Sequence, residues 1–519
     1  MIAKVCAFTL QGLDALPVEV EAGVYNGLPD LTVVGLPDAV LRESRERVRS
    51  AVVNSGYQWP VRRMLVNLAP AHIRKEGSGL DLAVGVSLLK ASGQLPGLDT
   101  EALVFAGELS LDGSLRGTRG ILAAALSMEQ WPDKVLAVPA DNREEAMRGT
   151  GRVLALESLA QLSDEGLIER MIKEAMSVTS DTGGAIGVGV LLMDEASETR
   201  EAKVGDENAL LWDLRMVKGQ NKAKRALELA AAGGHHLLLT GPPGSGKSLL
   251  ARCLQGILPP MKEEEMLEVN RIYSAAGLLG PDNPWISQRP FRSPHAGVTK
   301  AGLLGGGVPF RPGETSLAHR GVLFIDELPE MDRNCLESLR QPLEEGQITL
   351  SRAWGSVTLP ARIQLVASAN PCPCGYYGVY PPKCRCLEHE IRRYQNRFSG
   401  PLLDRMDMVV NVPRPDAESL TAFASDEESS WIVAKRVAEV WRRREASDRK
   451  EIRDLEDLRK HLSPKSKKWA ALAYEENQLT ARGYFRMLLL ARTVADLDGE
   501  EVVNVHALAE ALEYRPAFS

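Results

Sequence analysis

At 519 residues, with balanced charge and few aromatics, the chain has room for two to four domains, because single cores seldom grow past roughly 250–300 residues. Its net charge of -7 argues against a protein that coats nucleic acid through its whole surface, but not against one that grips it through a few basic loops. The longest apolar run, Gly187 to Met193, falls far short of the ~20 residues that span a bilayer.

Met1-Ile2-Ala3-Lys4-Val5 lacks the charged start and long apolar stretch of a signal peptide. The 7 cysteines, several of them bunched, suit a reducing compartment better than a disulfide framework. The expectation is a cytoplasmic chain with no membrane association.

Up to residue 172, short apolar runs alternate with helical stretches. Leu31-Thr32-Val33-Val34, Met64-Leu65-Val66-Asn67-Leu68, Leu103-Val104-Phe105 and Lys134-Val135-Leu136-Ala137-Val138 are bounded by Gly and Pro and read as buried strands. Asp81 to Ala91 and Gly120 to Glu129 read as helices between them. The pattern predicts an α+β or α/β domain over 1–172. A Gly-, Ser-, Thr- and acid-rich stretch from Ser177 to Glu207 marks a linker, set at 173–208. The next domain, 209–415, opens with Ala223, Ala226, Leu227 and Ala230 on one helical face. Gly233-Gly234 stops that helix, and the strand His236-Leu237-Leu238-Leu239 follows. From 416 to 519 the chain is charged and helical, with amphipathic segments at Ile432–Arg444 and Gly483–Leu497. The expected class is multidomain α/β.

Gly241-Pro242-Pro243-Gly244-Ser245-Gly246-Lys247-Ser248 fits G-x-x-x-x-G-K-[ST] between that strand and the helical Leu249–Leu254. Its glycines let backbone N–H groups curl round phosphates, and the helix presents its positive end. Lys247 is placed for the β- and γ-phosphates of ATP, and Ser248 for Mg2+. Gly321-Val322-Leu323-Phe324-Ile325-Asp326-Glu327 is an apolar strand ending in paired carboxylates. Such acids are often solvated turn residues. With a P-loop upstream, Asp326 is expected to hold the water shell of the metal, and Glu327 to act as general base on the attacking water. Ile363-Gln364-Leu365-Val366-Ala367-Ser368-Ala369-Asn370 is a further strand, and Asn370 at its end is expected to orient that water.

Ser399-Gly400-Pro401-Leu402-Leu403-Asp404-Arg405-Met406-Asp407 adds an arginine. Here the chain resembles AAA+ ATPases of the magnesium-chelatase and MCM-helicase branch. By that resemblance Arg405 is an arginine finger completing a neighbouring subunit's site, with Arg397 in reserve. In Thr480-Ala481-Arg482, Arg482 is likewise the sensor-2 residue that reaches the γ-phosphate from a helical lid. The resemblance implies a homo-oligomeric ring, a hexamer.

Longer segments carry a closer likeness. Val217-Lys218-Gly219-Gln220, Arg289-Pro290-Phe291-Arg292-Ser293-Pro294-His295, Gly305-Gly306-Gly307 and Leu317-Ala318-His319-Arg320-Gly321 look like the magnesium chelatase-like ComM/YifB family. So do Leu339-Arg340-Gln341-Pro342-Leu343-Glu344, Asn370-Pro371-Cys372-Pro373-Cys374-Gly375 and Ala491-Arg492-Thr493-Val494-Ala495-Asp496-Leu497. The likeness implies an N-terminal domain similar to the proteolytic domain of Lon, an AAA+ core and a helical lid. It also implies a DNA motor that drives branch migration during natural transformation, with a chelatase-type remodeller of a protein partner as the alternative. Laid along Arg74-Lys75-Glu76-Gly77-Ser78-Gly79-Leu80-Asp81 and Phe105-Ala106-Gly107-Glu108-Leu109, the Lon nucleophile falls on Gly79 and its lysine near Ile121. Ser78 is one residue off and no lysine lies between Gly117 and Gln130, so the serine–lysine pair of such a protease is not expected.

Two insertions are expected to face the pore of a ring. Arg289 to Gly307 is basic and Gly-rich, and offers Arg292 and Lys300 to DNA. Gln347-Ile348-Thr349-Leu350, the turn Ser351 to Ser356, and Val357-Thr358-Leu359 alternate with period two and read as a hairpin. It resembles the pre-sensor hairpin of MCM-type helicases. Arg352 is expected on phosphate and Trp354 on an unpaired base. The alternative packs Trp354 under the hairpin and pairs Arg352 with an acid. Finally, Cys372-x-Cys374 and Cys384-x-Cys386 can enclose one tetrahedral Zn2+ with no open position, a structural site. The alternative is reduced thiols on a surface loop. His389 is left outside the set.

Overall fold

The structure, a computed structural model, describes residues 2–75, 77–177, 212–352, 355–379, 383–397, 400–415, 427–446 and 455–515. Trp354 and most of the stretch read as a linker lie outside the described residues. The helix Glu165–Ser177 occupies the start of that stretch, so the N-terminal domain extends past 172.

Residues 2–177 fold around a 7-stranded mixed sheet. In spatial order its strands are Asp30–Val34, Arg63–Ala69, Asp14–Tyr25, Ile2–Gln11, Leu103–Phe105, Val135–Pro139 and Val153–Leu156. Ile2–Gln11 and Asp14–Tyr25 form a long antiparallel hairpin, and the three strands beyond Ile2–Gln11 continue from it in parallel. The hairpin turns at Gly12, where φ is +68°, a region L side chains avoid. The helix Asp81–Ala91 falls where its apolar run predicts and lies almost wholly buried against this hairpin.

The central domain is a 5-stranded, all-parallel sheet in the order Phe291–Arg292, Val322–Ile325, Gln364–Ala369, Leu237–Thr240, Met408–Asn411. Parallel strands need crossovers and cover on both faces, which is why these strands read as continuous apolar runs. Every residue of Val322–Ile325 and Gln364–Ala369 is buried. The helix Asn221–Gly233 ends in Gly234 at φ +67°, a left-handed cap.

The C-terminal helices Ser430–Ala446, Leu455–Lys460, Pro464–Glu476, Ala481–Leu497 and Val505–Glu513 share one apolar core with this sheet. Val322, Val366 and Met408 pack in the same cluster as Val437, Leu490 and Ala511. The N-terminal domain meets the central one through its own turn. Leu13 packs with Tyr273, Phe310, Val357 and Leu359. Gly120 N–H donates to the Ser274 carbonyl at 3.0 Å, and Arg119 to the Phe310 carbonyl at 2.7 Å. Glu145 is buried at this contact, accepts from Ser274 Oγ at 2.5 Å, and has its carboxyl pushed up by burial. Val357 and Leu359 belong to the hairpin Gln347–Arg352 and Gly355–Pro360, so the first domain rests on that hairpin. Among the described residues no helix is long and apolar enough to cross a membrane.

A candidate nucleotide site and the arginine cleft opposite it

The strand Leu237–Thr240 runs into the P-loop, and the helix Lys247–Ile257 leaves it. Gly244 and Gly246 have φ of +75° and +93°, which lets the loop turn its N–H groups inward ahead of the helix N-terminus. Lys247 is buried and donates to the carbonyls of Gly241 and Pro242 at 2.8 and 2.9 Å, and to Asn370 Oδ1 at 3.3 Å. Burial pulls its ammonium below the usual lysine range, against the opposing pull of Asp326 and Glu327.

Ser248 Oγ donates to Asp326 Oδ2 at 3.0 Å. Ser368 Oγ donates to the other oxygen, Asp326 Oδ1, and accepts from the Glu327 N–H at 3.1 Å. Glu327 itself is exposed and sits at φ +50°, a left-handed conformation that a non-glycine residue adopts only when its surroundings hold it there. The carboxyl ends of the central strands thus bring together two bonded pairs, Lys247 with Asn370 and Ser248 with Asp326, with Glu327 following Asp326. This is where ligands bind in open parallel sheets. A hydroxyl and a carboxylate side by side suit a magnesium ion, which prefers oxygen ligands and keeps several waters.

Arg405 and Arg482 are elsewhere. Both guanidiniums converge on Glu344 Oε1, at 2.5 and 2.8 Å. Arg405 is buried and Arg482 exposed. Arg486 donates to the Arg405 carbonyl at 2.5 Å and to the carboxylate of Asp407. A cleft beside them is lined by His235, His236, Arg444 and Arg492. His235, His236 and Asp407 immediately precede the strands Leu237–Thr240 and Met408–Asn411, so this cluster marks the amino ends of the sheet. Burial holds both histidines down to about 4. Burial also works against ionised Asp407, but Arg486 and the two histidines outweigh it and keep its carboxyl below the usual range. Arg397, the reserve candidate, pairs with Glu330 at 3.3 Å.

The four sulfurs of Cys372, Cys374, Cys384 and Cys386 lie within 4.8 Å of one another. Cys372 is 3.4 Å from Cys374 and 3.7 Å from Cys384, and Cys374 is 3.6 Å from Cys384. Sulfurs bound at about 2.3 Å around one tetrahedral zinc stand about 3.8 Å apart, so the donor set fits that ion. His389 is not among the clustered donors.

At the two basic insertions the structure separates the candidates. The guanidinium of Arg292 makes two bonds to Glu314, at 2.7 and 2.8 Å. Lys300 is exposed at the start of the helix Lys300–Leu304. Arg352 is exposed at the last rung of the hairpin and stacks over Phe310 at 6.0 Å, rather than pairing with an acid. In the N-terminal domain Ser78 Oγ donates to Glu108, while the buried Lys75 donates to the carbonyls of Leu68 and Pro70. Serine and lysine there have different partners and form no dyad.

The model of magnesium chelatase subunit ChlI matches residues 213–420, the ChlI C-terminal model matches 427–515, and a further ChlI model matches 20–142. The chain is 40% identical over 513 residues to YifB of Salmonella typhimurium, covering 97% of this chain and 95% of that protein. It is 37% identical over 519 residues to competence protein ComM of Haemophilus influenzae, covering 99% and 97%. The chain belongs to the YifB/ComM family of ChlI-like proteins. It is also 28% identical over 325 residues to the magnesium-chelatase 38 kDa subunit of Rhodobacter capsulatus, covering 58% of this chain and 85% of that subunit. For this YifB/ComM protein, the match at 213–420 takes in both ends of the AAA-like sheet and the cysteine cluster.

Three residues of these sites escaped the sequence reading. Ser368 sits in an otherwise apolar strand and alone binds both Asp326 and the Glu327 backbone. A hydroxyl one position before the strand's last residue was the available signal. Glu344 and Arg486 carry none, because their partners lie 61 to 138 residues away in the chain.

Proposed function

We propose that this chain is a magnesium-dependent ATPase that works as a homo-oligomeric ring, a hexamer, on DNA. The observation that carries the reading is the separation of its charged groups: the phosphate-binding lysine and the paired arginines occupy opposite ends of one sheet. A strand of four residues alone puts about 13 Å between those ends. In this reading Lys247 and the loop N–H groups hold the phosphates, Ser248 and Asp326 hold the metal, and Glu327 takes a proton from water oriented by Asn370. Bound magnesium supplies charge neutralisation at the phosphates. Arg405 and Arg482 leave Glu344 and meet the nucleotide of the next subunit, which is why ring assembly is part of the proposal.

The DNA assignment leans on kinship with a competence protein and on Arg352 and Lys300, both exposed, in the two insertions we assign to the pore. Branch migration of recombination intermediates is the activity we assign to the ring, with zinc at the cysteine cluster as a structural cofactor. The second reading, a chelatase-type remodeller of a protein partner, draws on the ChlI description of all three family models. The test is ATP hydrolysis with and without forked or four-way DNA, alongside Glu327→Gln. Strong stimulation by DNA, lost in the variant, is expected. A confirmed ring whose turnover ignores DNA at low salt contradicts the DNA reading and favours the remodeller.

A further inference from the structure

The cysteine cluster and the phosphate cradle share residues. Cys372 follows Asn370 by way of Pro371 alone and is fully buried. Asn370 Oδ1 accepts from Lys247 Nζ at 3.3 Å, so a displacement of Cys372 is felt at the P-loop lysine. A few residues on, Gly375 takes φ +82° and lies against the P-loop itself. A Cβ there would stand 2.7 Å from Pro243 Cδ, a separation real side chains do not show. The turn between them is tight: the Gly375 N–H donates to the Cys372 carbonyl at 2.9 Å, and the Tyr377 N–H to Cys372 Sγ at 3.3 Å. The segment that carries the first cysteine pair therefore joins the cradle at both its ends, through Asn370 and through Gly375 against Pro243. The second pair, Cys384 and Cys386, comes from a separate stretch and closes the cluster from outside. Four thiolates this close repel one another unless a cation joins them, and joining them ties that outer stretch to the cradle.

We infer that zinc at Cys372, Cys374, Cys384 and Cys386 is a clamp on the nucleotide site, so that metal occupancy sets the affinity for ATP. The inference rests on the ATPase reading above and adds a regulator to it. Bound metal fixes the turn 372–375, and that turn holds Asn370 against Lys247 and backs Pro243. Loss of metal frees the turn, and the cradle loses the wall that keeps it shaped for phosphate.

The experiment measures zinc content and the affinity for a fluorescent ATP analogue, mant-ATP, on the full-length chain. The variants are Cys384→Ser/Cys386→Ser, which opens the cluster away from the cradle, and Gly375→Ala, which keeps every cysteine but pushes on Pro243. Wild type is expected to hold one zinc. The double serine variant is expected to hold none and to bind mant-ATP about tenfold more weakly, the scale of losing an outer support of a site. Gly375→Ala is expected to keep its zinc and lose affinity by a similar factor. A folded, zinc-free double variant that binds mant-ATP as wild type does overturns the clamp, as does a Gly375→Ala variant with unchanged affinity, or a wild type without zinc. Should the double variant not fold, wild type stripped of zinc by a chelator decides: mant-ATP affinity about tenfold weaker, restored by added zinc, is expected, and unchanged affinity overturns the clamp. A zinc-loaded wild type that binds no mant-ATP overturns the ATPase reading, and the clamp with it.

Discussion

At the carboxyl end of the central sheet Lys247 is bonded to Asn370 and Ser248 to Asp326, whereas at the amino end Arg405 and Arg482 are held by Glu344 and Arg486 by Asp407. The first end is a preformed cradle whose cation, among the described residues bonded there, is Lys247. The second is rich in cations, each resting on a carboxylate. A carboxylate bridging two guanidiniums occupies the geometry that a phosphate oxygen would take. In the proposed ring neither end suffices alone, and Glu344 holds the two arginines where a neighbour's phosphate would.

The largest expected effect comes from removing the cations of the second end. Arg405→Ala is expected to lower kcat by roughly 10³-fold with little change in nucleotide affinity, as for fingers that act on charge in the transition state. A change confined to KM would break the comparison, because it would make Arg405 a binding residue.

The amino end also carries the pH dependence. His235 and His236 are buried with folded pKa values of about 4, below the unfolded value of 6.5. A neutral buried histidine must take up a proton on unfolding at low pH. Its stabilising contribution is therefore complete above about pH 6.5 and falls away as the pH drops toward 4, by about 3 kcal/mol for each ring. Thermal melts between pH 7 and 4 check this. Replacing His235 by Asn is expected to flatten the loss, and an equally steep profile would show that other groups carry it.

A smaller effect sharpens the first end. Ser368→Ala removes a bond to Asp326 and one to the Glu327 backbone. It is expected to reduce kcat or raise the magnesium requirement by about tenfold, as supports of a metal ligand do. Unchanged magnesium dependence and rate would show that Asp326 holds its place without it. The smallest expected effect lies outside both ends. Arg352→Ala should weaken DNA binding and lower the slope of log affinity against log salt by about 1, the mark of one phosphate contact.

The P-loop, the paired acids and Asn370 could be read from the sequence because each is a contiguous motif at a strand end, and a buried parallel strand announces itself as an apolar run. The long hairpin Ile2–Tyr25 was not read. Its first strand alternates only at the start and then buries successive residues on both faces, so period two fades. The Gly-Ser pair at 355–356 looked like the turn of the second hairpin. The ladder instead pairs Arg352 with Gly355 and Ser351 with Ser356, so both residues lie on the second strand. The Glu314 carboxylate that folds onto Arg292 could not be read, because nothing local to the basic loop shows it. Glu344 was quoted only within a family segment, since its role is a tertiary fact built by two arginines from distant helices and loops.

The central claim, that the two ends of the sheet serve one another across a subunit boundary, is tested most directly by mixing. Lys247→Ala subunits keep the arginines but lack the cradle, and Arg405→Ala subunits keep the cradle but lack the finger. Each alone is expected to be nearly inactive. Mixed and reassembled, the pair is expected to recover ATP turnover well above the sum of the two, because some interfaces then join an intact cradle to an intact arginine. A mixture no more active than its parts, in rings shown to exchange subunits, would contradict the account.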